Sequence, residues 1–138
     1  MVYVIGLQSK YWQLSFNITV LSYTEEITSI IHFTGEDNED LSIHNILSFS
    51  MNNTSLIISF QHNGSIIHHD INVQTNVNYN IKFRQQWSMS NAVNVKIFVD
   101  DVEIFSKRNT NPKQYKNLRC YIGNLWNEPA NDNIKNLT

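Results

Sequence analysis

The chain has 138 residues, 41% of them hydrophobic, which suffices for one domain with its own core over residues 1–138. Its formal net charge of −2 lacks the excess of basic residues that is typical of chains that bind nucleic acids or anionic membranes. No apolar run approaches the length of a membrane span, so neither a nucleic-acid partner nor membrane insertion is expected.

Period-two alternation of apolar and polar residues dominates the chain and is clearest in residues 11–23. There it places five apolar side chains on one face, which predicts a strand: Trp12, Leu14, Phe16, Ile18 and Val20. Further strands are predicted at 27–33, 46–51, 55–60, 65–73, 80–85, 93–99, 102–105 and 118–122. Polar or irregular sequence is expected at 35–40, 86–92, 106–116 and 123–133.

Two dipeptides mark tight hairpin turns. Asp100-Asp101 divides the run 93–105 into two strands, which we expect to form the central hairpin of a sheet, and Asn63-Gly64 is the stronger signal because both residue types accept left-handed backbone angles. About nine or ten short strands without helical periodicity predict an all-β, antiparallel two-sheet β-sandwich of jelly-roll type.

Cysteine and asparagine usage bears on compartment. Cys120 is the single cysteine and lies among strand residues, so an inert buried thiol is expected. The lack of a cysteine pair favours the cytosol, whereas five Asn-x-Ser/Thr triplets favour the outside of the cell. We expect an extracellular chain, secreted or part of an ectodomain.

The end of the chain carries the most specific pattern: Asn-Thr-Asn-Pro at 109–112, Gly-Asn-Leu-Trp at 123–126, Glu-Pro-Ala at 128–130 and Ile-Lys-Asn-Leu at 134–137. With the order of strands, it resembles concanavalin-like and galectin-like jelly-roll domains. It is most similar to secreted domains of sea anemones and corals that include galactose-binding lectins with bound calcium. The segment Leu41–Ile46 departs from the usual Gly-Asp-Arg-Ile-Pro, and the vertebrate galectin signature is absent.

A sugar site needs an aromatic face for the apolar side of a pyranose and planar polar groups for its hydroxyls. One loop offers this set: Asn124, Trp126, Asn127 and Glu128. The alternative is that Trp126 closes the end of the sandwich core.

Residues 35–40, the acidic stretch, offer oxygen ligands for a hard cation such as calcium, which can in turn bind sugar hydroxyls. The candidate ligands are Glu36, Asp37, Asn38 and Asp40. The alternative is a solvated loop without a metal. His62, His68 and His69 flank one turn, but exposed strand histidines are a simpler interpretation than a zinc site.

Catalytic patterns are not evident. The paired glutamates of jelly-roll glycanases are missing from apolar sequence, and no Ser-His-Asp arrangement appears. The sequence therefore predicts a chain that is not an enzyme. The leading hypothesis is a lectin that binds glycans or glycoproteins, calcium-assisted, with an edge strand available for a homodimer. The alternative is an adhesion module of laminin G type that binds a protein partner.

Overall fold

The computed structural model describes residues 2–5, 10–37, 43–123 and 132–138. These residues form eleven strands and no helix. The strands are β1 (Val2–Ile5), β2 (Trp12–Val20), β3 (Thr28–Asp37), β4 (Ile43–Asn52), β5 (Ser55–His62), β6 (Ser65–Asn72), β7 (Asn78–Trp87), β8 (Val93–Val99), β9 (Val102–Asn109), β10 (Tyr115–Ile122) and β11 (Asp132–Lys135).

The strands make two antiparallel sheets that pack face to face. One sheet has six strands in the order β1-β10-β3-β4-β5-β6, and the other has five in the order β11-β2-β7-β8-β9. The predicted all-β, two-sheet sandwich is confirmed.

Alternation along each strand builds the core. In β2 the predicted apolar stripe points inward, with Phe16, Ile18 and Val20 at most 1% exposed. The two sheets meet through aromatic contacts: Phe16 of β2 meets the ring of Phe49 of β4 edge to face, with 4.9 Å between the centroids. Such contacts remove both inner faces from water, which is the main stabilising term of a sandwich.

The predicted turns are confirmed. Asp100 and Asp101 have φ of 49° and 64°, and Asn63 and Gly64 have 49° and 79°, the left-handed pairs that a two-residue hairpin turn requires. Asp100 also accepts a 2.8 Å hydrogen bond on Oδ1 from the Asn80 backbone N–H.

Several boundaries differ from expectation. The 93–105 hairpin is not central, because β9 is the edge strand of its sheet. The acidic stretch does not begin as a loop, since β3 continues through Asp37 and pairs with both β4 and β10. Glycine makes this continuation feasible: a Cβ on Gly35 would lie 2.8 Å from Ile46 Cδ1. Trp87 ends β7 instead of lying in a loop, and β1 and β11 were not predicted.

Within the described ranges, the structure contains no helix of the length and apolar character needed to cross a bilayer.

Replacing Phe16 by Ala should lower the free energy of unfolding by about 3–5 kcal/mol, because it removes a buried ring and leaves a cavity beside Phe49. Urea denaturation followed by circular dichroism measures the change. Val102→Ala is the matched control, since Val102 is 63% exposed and its loss should change stability by about 0.5 kcal/mol or less. Equal effects of the two substitutions would contradict this account of the core.

Candidate functional site

A cavity of about 450 Å³ opens between the two sheets at one end of the sandwich. We call it the end cleft. It is lined by aromatic and apolar residues (Trp12, Ile46, Phe60, Phe83, Tyr115) and by polar residues and a glycine (Gln61, His62, Asn63, Gly64, Gln85, Asn109, Asn111, Lys113). No acidic side chain is among these lining residues.

The end cleft exists because polar residues occupy inward-facing positions where the apolar core stops. Along β5, Leu56, Ile58 and Phe60 point inward, and the next residue on that face is His62. Along β7, Gln85 follows Phe83 in the same way. His62 and Gln85 are 5% and 8% exposed, so their polar groups are held within the sandwich and not on its surface.

Aromatic rings form the floor of the end cleft. Trp12 stacks on Phe83 with 5.3 Å between ring centroids. Phe60 meets the same Phe83 ring edge to face at 5.1 Å, and Tyr115 is 9% exposed. These contacts fix the rings before any ligand arrives.

Hydrogen bonds fix the polar wall. His62 Nε2 lies 3.0 Å from the carbonyl oxygen of Arg108, and because that oxygen only accepts, Nε2 carries the proton. Burial lowers the pKa of His62, the hydrogen bond to Arg108 opposes this, and the charge of Lys107 adds to the lowering. The imidazole is therefore neutral at pH 7. Gln85 Nε2 donates to the backbone oxygen of Lys10 over 3.3 Å.

An asparagine clamp ties the two sheets together beside the end cleft. Asn63 Oδ1, in the β5–β6 turn, accepts a 2.7 Å hydrogen bond from the Thr110 backbone N–H, which follows β9. In return, Asn109 Oδ1 accepts a hydrogen bond from the Asn63 backbone N–H at 3.3 Å. One turn of the six-stranded sheet is thus joined to the end of the edge strand of the other.

A second polar feature crosses the outer face of the six-stranded sheet. Sheet register places five side chains in one line across five strands, and we call this line the outer polar row: Tyr121, His32, Ser48, Ser59 and His68. His32 and Ser48 are only 8% exposed. Burial lowers the pKa of His32 to about 4, against the raising effect of a hydrogen bond with Asn45. At the end of the row, Ser59 Oγ lies 2.7 Å from His68 Nδ1.

The residues predicted for sugar binding lie outside the described residues: Asn124, Trp126, Asn127 and Glu128. That site stays a prediction. Of the predicted calcium ligands, Asn38 and Asp40 also lie outside them, and Asp37 is described only as part of β3. Glu36 accepts a 3.2 Å hydrogen bond on Oε2 from Asn117 Nδ2.

The described residues next to these two segments lie far apart. Ile122 of β10 pairs with Ile31 of β3, and Gly123 donates from its backbone N–H to the Ile30 carbonyl. Asp37 is six residues further along β3, which corresponds to about 20 Å. Gly123 and Asp37, the last described residues before the two predicted sites continue, thus lie about 20 Å apart along β3.

The histidines near the Asn63-Gly64 turn do not converge. His62 points into the end cleft, His68 lies on the outer face, and His69 packs at 5.2 Å from the ring of Phe105. The described residues contain no group of three or more His, Cys, Asp or Glu side chains arranged to hold a metal ion. Cys120 is fully buried, and burial raises the pKa of its thiol to about 11, as expected of an inert thiol.

The end cleft was missed by sequence reasoning, although a signal for part of it exists. Every second side chain of a strand lies on the same face, so the sequence alone shows that His62 and Gln85 each place a polar group at the end of an inward-facing apolar series. No local signal brings Trp12 to the same place as Asn109 and Tyr115, because β2 is remote in sequence from β9 and β10.

No protein-family model matches the sequence, and no curated protein matches it. Similar solved structures do exist. Galectin LEC-6 of Caenorhabditis elegans superposes with a TM-score of 0.57 at 15% identity, covering 100% of this chain and 89% of the galectin. Sheep galectin-11 gives 0.52 at 10% identity, covering 98% and 96%. The endo-β-1,4-glucuronan lyase of Trichoderma reesei gives 0.62 at 12% identity, covering 89% of this chain.

At such low sequence identity, these superpositions show the fold alone. They confirm the predicted concanavalin-like, galectin-like jelly roll. The chain spans 63% of the length of the glucuronan lyase chain. Alginate lyases are also among the similar structures. The prediction that the chain is not an enzyme is therefore wrong as drawn from the sequence, because polysaccharide lyases have the same fold.

His32, in the outer polar row, should make the stability of the protein depend on pH. Its pKa falls from 6.5 in the unfolded chain to about 4 in the folded one, so the unfolded state takes up a proton first as the solution is acidified. Stability should be intact above pH 6.5 and fall by about 3 kcal/mol by pH 4 from this group. Urea midpoints of the native protein and of His32→Gln between pH 7 and 4 measure this loss as their difference.

The difference is needed because Asp132 acts in the opposite direction over part of the same range. Burial raises the pKa of Asp132 to about 6, so its protonation stabilises the folded state as the pH falls. His68→Gln is the matched histidine substitution at the exposed end of the outer polar row, and it shows whether the difference is specific to His32. Parallel curves for the native protein and His32→Gln would show that His32 is not the group responsible.

Proposed function

We propose that this chain binds carbohydrate in the end cleft. The observation that carries the proposal is the combination, in one cavity of about 450 Å³, of an aromatic floor with buried amide and imidazole groups. The volume falls within the range of small-ligand sites, which are mostly apolar with a few fixed polar groups.

The chemistry of a sugar matches this lining. The C–H face of a pyranose ring packs against an aromatic ring, here Trp12 or Tyr115, while its hydroxyls exchange hydrogen bonds with planar side chains. Gln85 and Asn109 are such side chains, at 8% and 3% exposed. Buried amides reject ligands that cannot pair with them, so the end cleft favours a ligand rich in hydroxyl groups over an apolar one.

The similar structures support the same class of ligand. Two are galectins, and the sheep galectin-11 structure was determined with glycerol, a small polyol. The lyases are named for glucuronan and alginate, which are polysaccharides. For this chain, calcium assistance, an extracellular location and a homodimer through an edge strand remain parts of the proposal, while sugar binding at 124–128 stays a separate prediction. The alternative, an adhesion module with a protein partner, predicts no glycan binding by the end cleft.

A glycan array tests the proposal through two adjacent glutamines. Gln85→Ala removes an amide from the end cleft and should weaken glycan binding about tenfold, the effect of losing one or two hydrogen bonds. Gln86→Ala is the matched control, because Gln86 lies on the other face of β7. Circular dichroism verifies that both variants fold.

Running the array with millimolar calcium and with a chelator separates binding in the end cleft from binding through the calcium ligands predicted at 36–40. Binding that needs calcium and survives Gln85→Ala would move the site to the acidic stretch. If folded native protein binds no glycan in either condition, the adhesion module becomes the favoured function.

A second candidate function is cleavage of an acidic polysaccharide by elimination. The observation that favours it is that the end cleft holds a histidine, a tyrosine and an amide, His62, Tyr115 and Gln85, within one cavity. One alginate lyase structure with bound substrate GGMG carries a His→Asn and a Tyr→Phe replacement. In an elimination, a base removes the proton next to the uronate carboxylate, the C–O bond of the glycosidic link breaks, and a C=C bond forms. An acid protonates the departing oxygen.

Incubation with alginate or glucuronan tests this function directly, because the product contains a conjugated double bond that absorbs ultraviolet light. If elimination occurs, Tyr115→Phe should reduce the rate at least about a hundredfold through loss of a proton-transfer group, with the fold preserved. The control is again Gln86→Ala. No absorbance change on either polymer would eliminate this second function and leave binding as the proposed one.

A further inference from the structure

We infer that Trp87 is a second sugar-binding position beside the end cleft, so that the ligand is an oligosaccharide of at least two pyranose rings. The inference rests on the proposed carbohydrate-binding function. It adds a residue that does not line the cavity and commits the site to an extended ligand.

Strand register places Trp87 on the face that forms the end cleft. Trp87 is two residues beyond Gln85 on β7, so both side chains project from the same face, about 7 Å apart along the strand. Across the sheet, Trp87 pairs with Val93, and Val93 pairs with Asn109. Asn109 therefore lies on that same face two strands away, about 10 Å from Trp87. Trp87 thus lies within about 10 Å of two residues that line the cavity, Gln85 and Asn109.

The exposure of Trp87 sets it apart from the aromatic floor. It is 62% exposed, whereas Phe60 and Phe83 are each 2% exposed. A tryptophan side chain that stays in water contributes little to the core, although full burial would stabilise the fold by several times the energy of one hydrogen bond. An exposed indole next to a polar cavity offers the flat apolar surface that a sugar ring covers on binding.

The backbone that carries Trp87 is fixed to the wall of the end cleft. The turn after β7 uses left-handed Ser90 and Asn91, and is closed by hydrogen bonds from Ser88 N–H to the Ala92 carbonyl and from Ala92 N–H to the Met89 carbonyl. Arg108 Nη2 donates to the Met89 carbonyl over 3.3 Å. The carbonyl of the same Arg108 accepts from His62 in the end cleft.

This chain of contacts, from His62 through Arg108 to the turn, holds the Trp87 backbone in a set position relative to the cavity. Preorganisation of this kind lowers the entropic cost of binding. The geometry supports an arrangement in which one sugar ring of the ligand lies in the end cleft and the next sugar ring packs on the Trp87 indole.

The test is an array of cello-, manno-, galacto- and alginate oligosaccharides of one to six rings. Native protein should bind longer chains more tightly than single rings. Trp87→Ala should lose about tenfold of its affinity for chains of two or more rings and none for single rings. Trp87→Phe should retain part of that affinity. Met89→Ala is the matched control, because Met89 is 65% exposed in the same turn.

The outcomes are distinguishable. If native protein binds and Trp87→Ala matches it on every chain length, the inference is overturned and the proposed function stands. If Trp87→Ala weakens single rings and long chains equally, the indole is not a second position and the inference also fails. If folded native protein binds no oligosaccharide, the proposed function fails and this inference with it. A Trp87→Phe variant that is folded but as weak as Trp87→Ala still supports the inference, with the indole itself required.

Discussion

The packing of two inner sheet faces against each other is the constraint on which the rest of the molecule depends. Each strand contributes every second side chain to this contact, and the apolar ones form the core. Where the series continues with polar residues instead, as at His62 and Gln85, the sheets cannot close into an apolar layer. The end cleft is therefore a product of the same alternation that stabilises the fold. Core and site are two stretches of one continuous interface.

Much of the fold was accessible from the sequence because its signals are local. The alternation in residues 11–23 and the turns at Asn63-Gly64 and Asp100-Asp101 depend on neighbouring residues only, and the structure agrees with all of them. Strands with weaker patterns were missed or cut short. β1 and β11 have four residues each, and β3 runs on through Gly35, a position where its neighbours leave no room for a side chain.

The candidate site was far less predictable, for a physical reason. Its residues come from strands whose order in space differs from their order in sequence. Trp12 and Tyr115 lie in different sheets, so they line one cavity only once the two sheets have packed together. The terminal pattern drew attention to 124–128 because its residues are contiguous. Trp87 was assigned to a polar loop because Gln, Ser and Asn surround it, although parity with Phe83 and Gln85 places it on the inner face.

The order β1-β10-β3 in the larger sheet constrains when the molecule is able to fold. The first strand of the chain reaches its sheet only through β10, which begins at residue 115. On the ribosome, β1 therefore lacks its partner in this sheet until β10 has emerged. Pairings this remote in sequence are slow to form, and sandwiches built on them fold in milliseconds to seconds. Until β10 pairs with them, β1 and β3 each leave a strand edge open, and this is the interval in which the nascent chain is most exposed to aggregation.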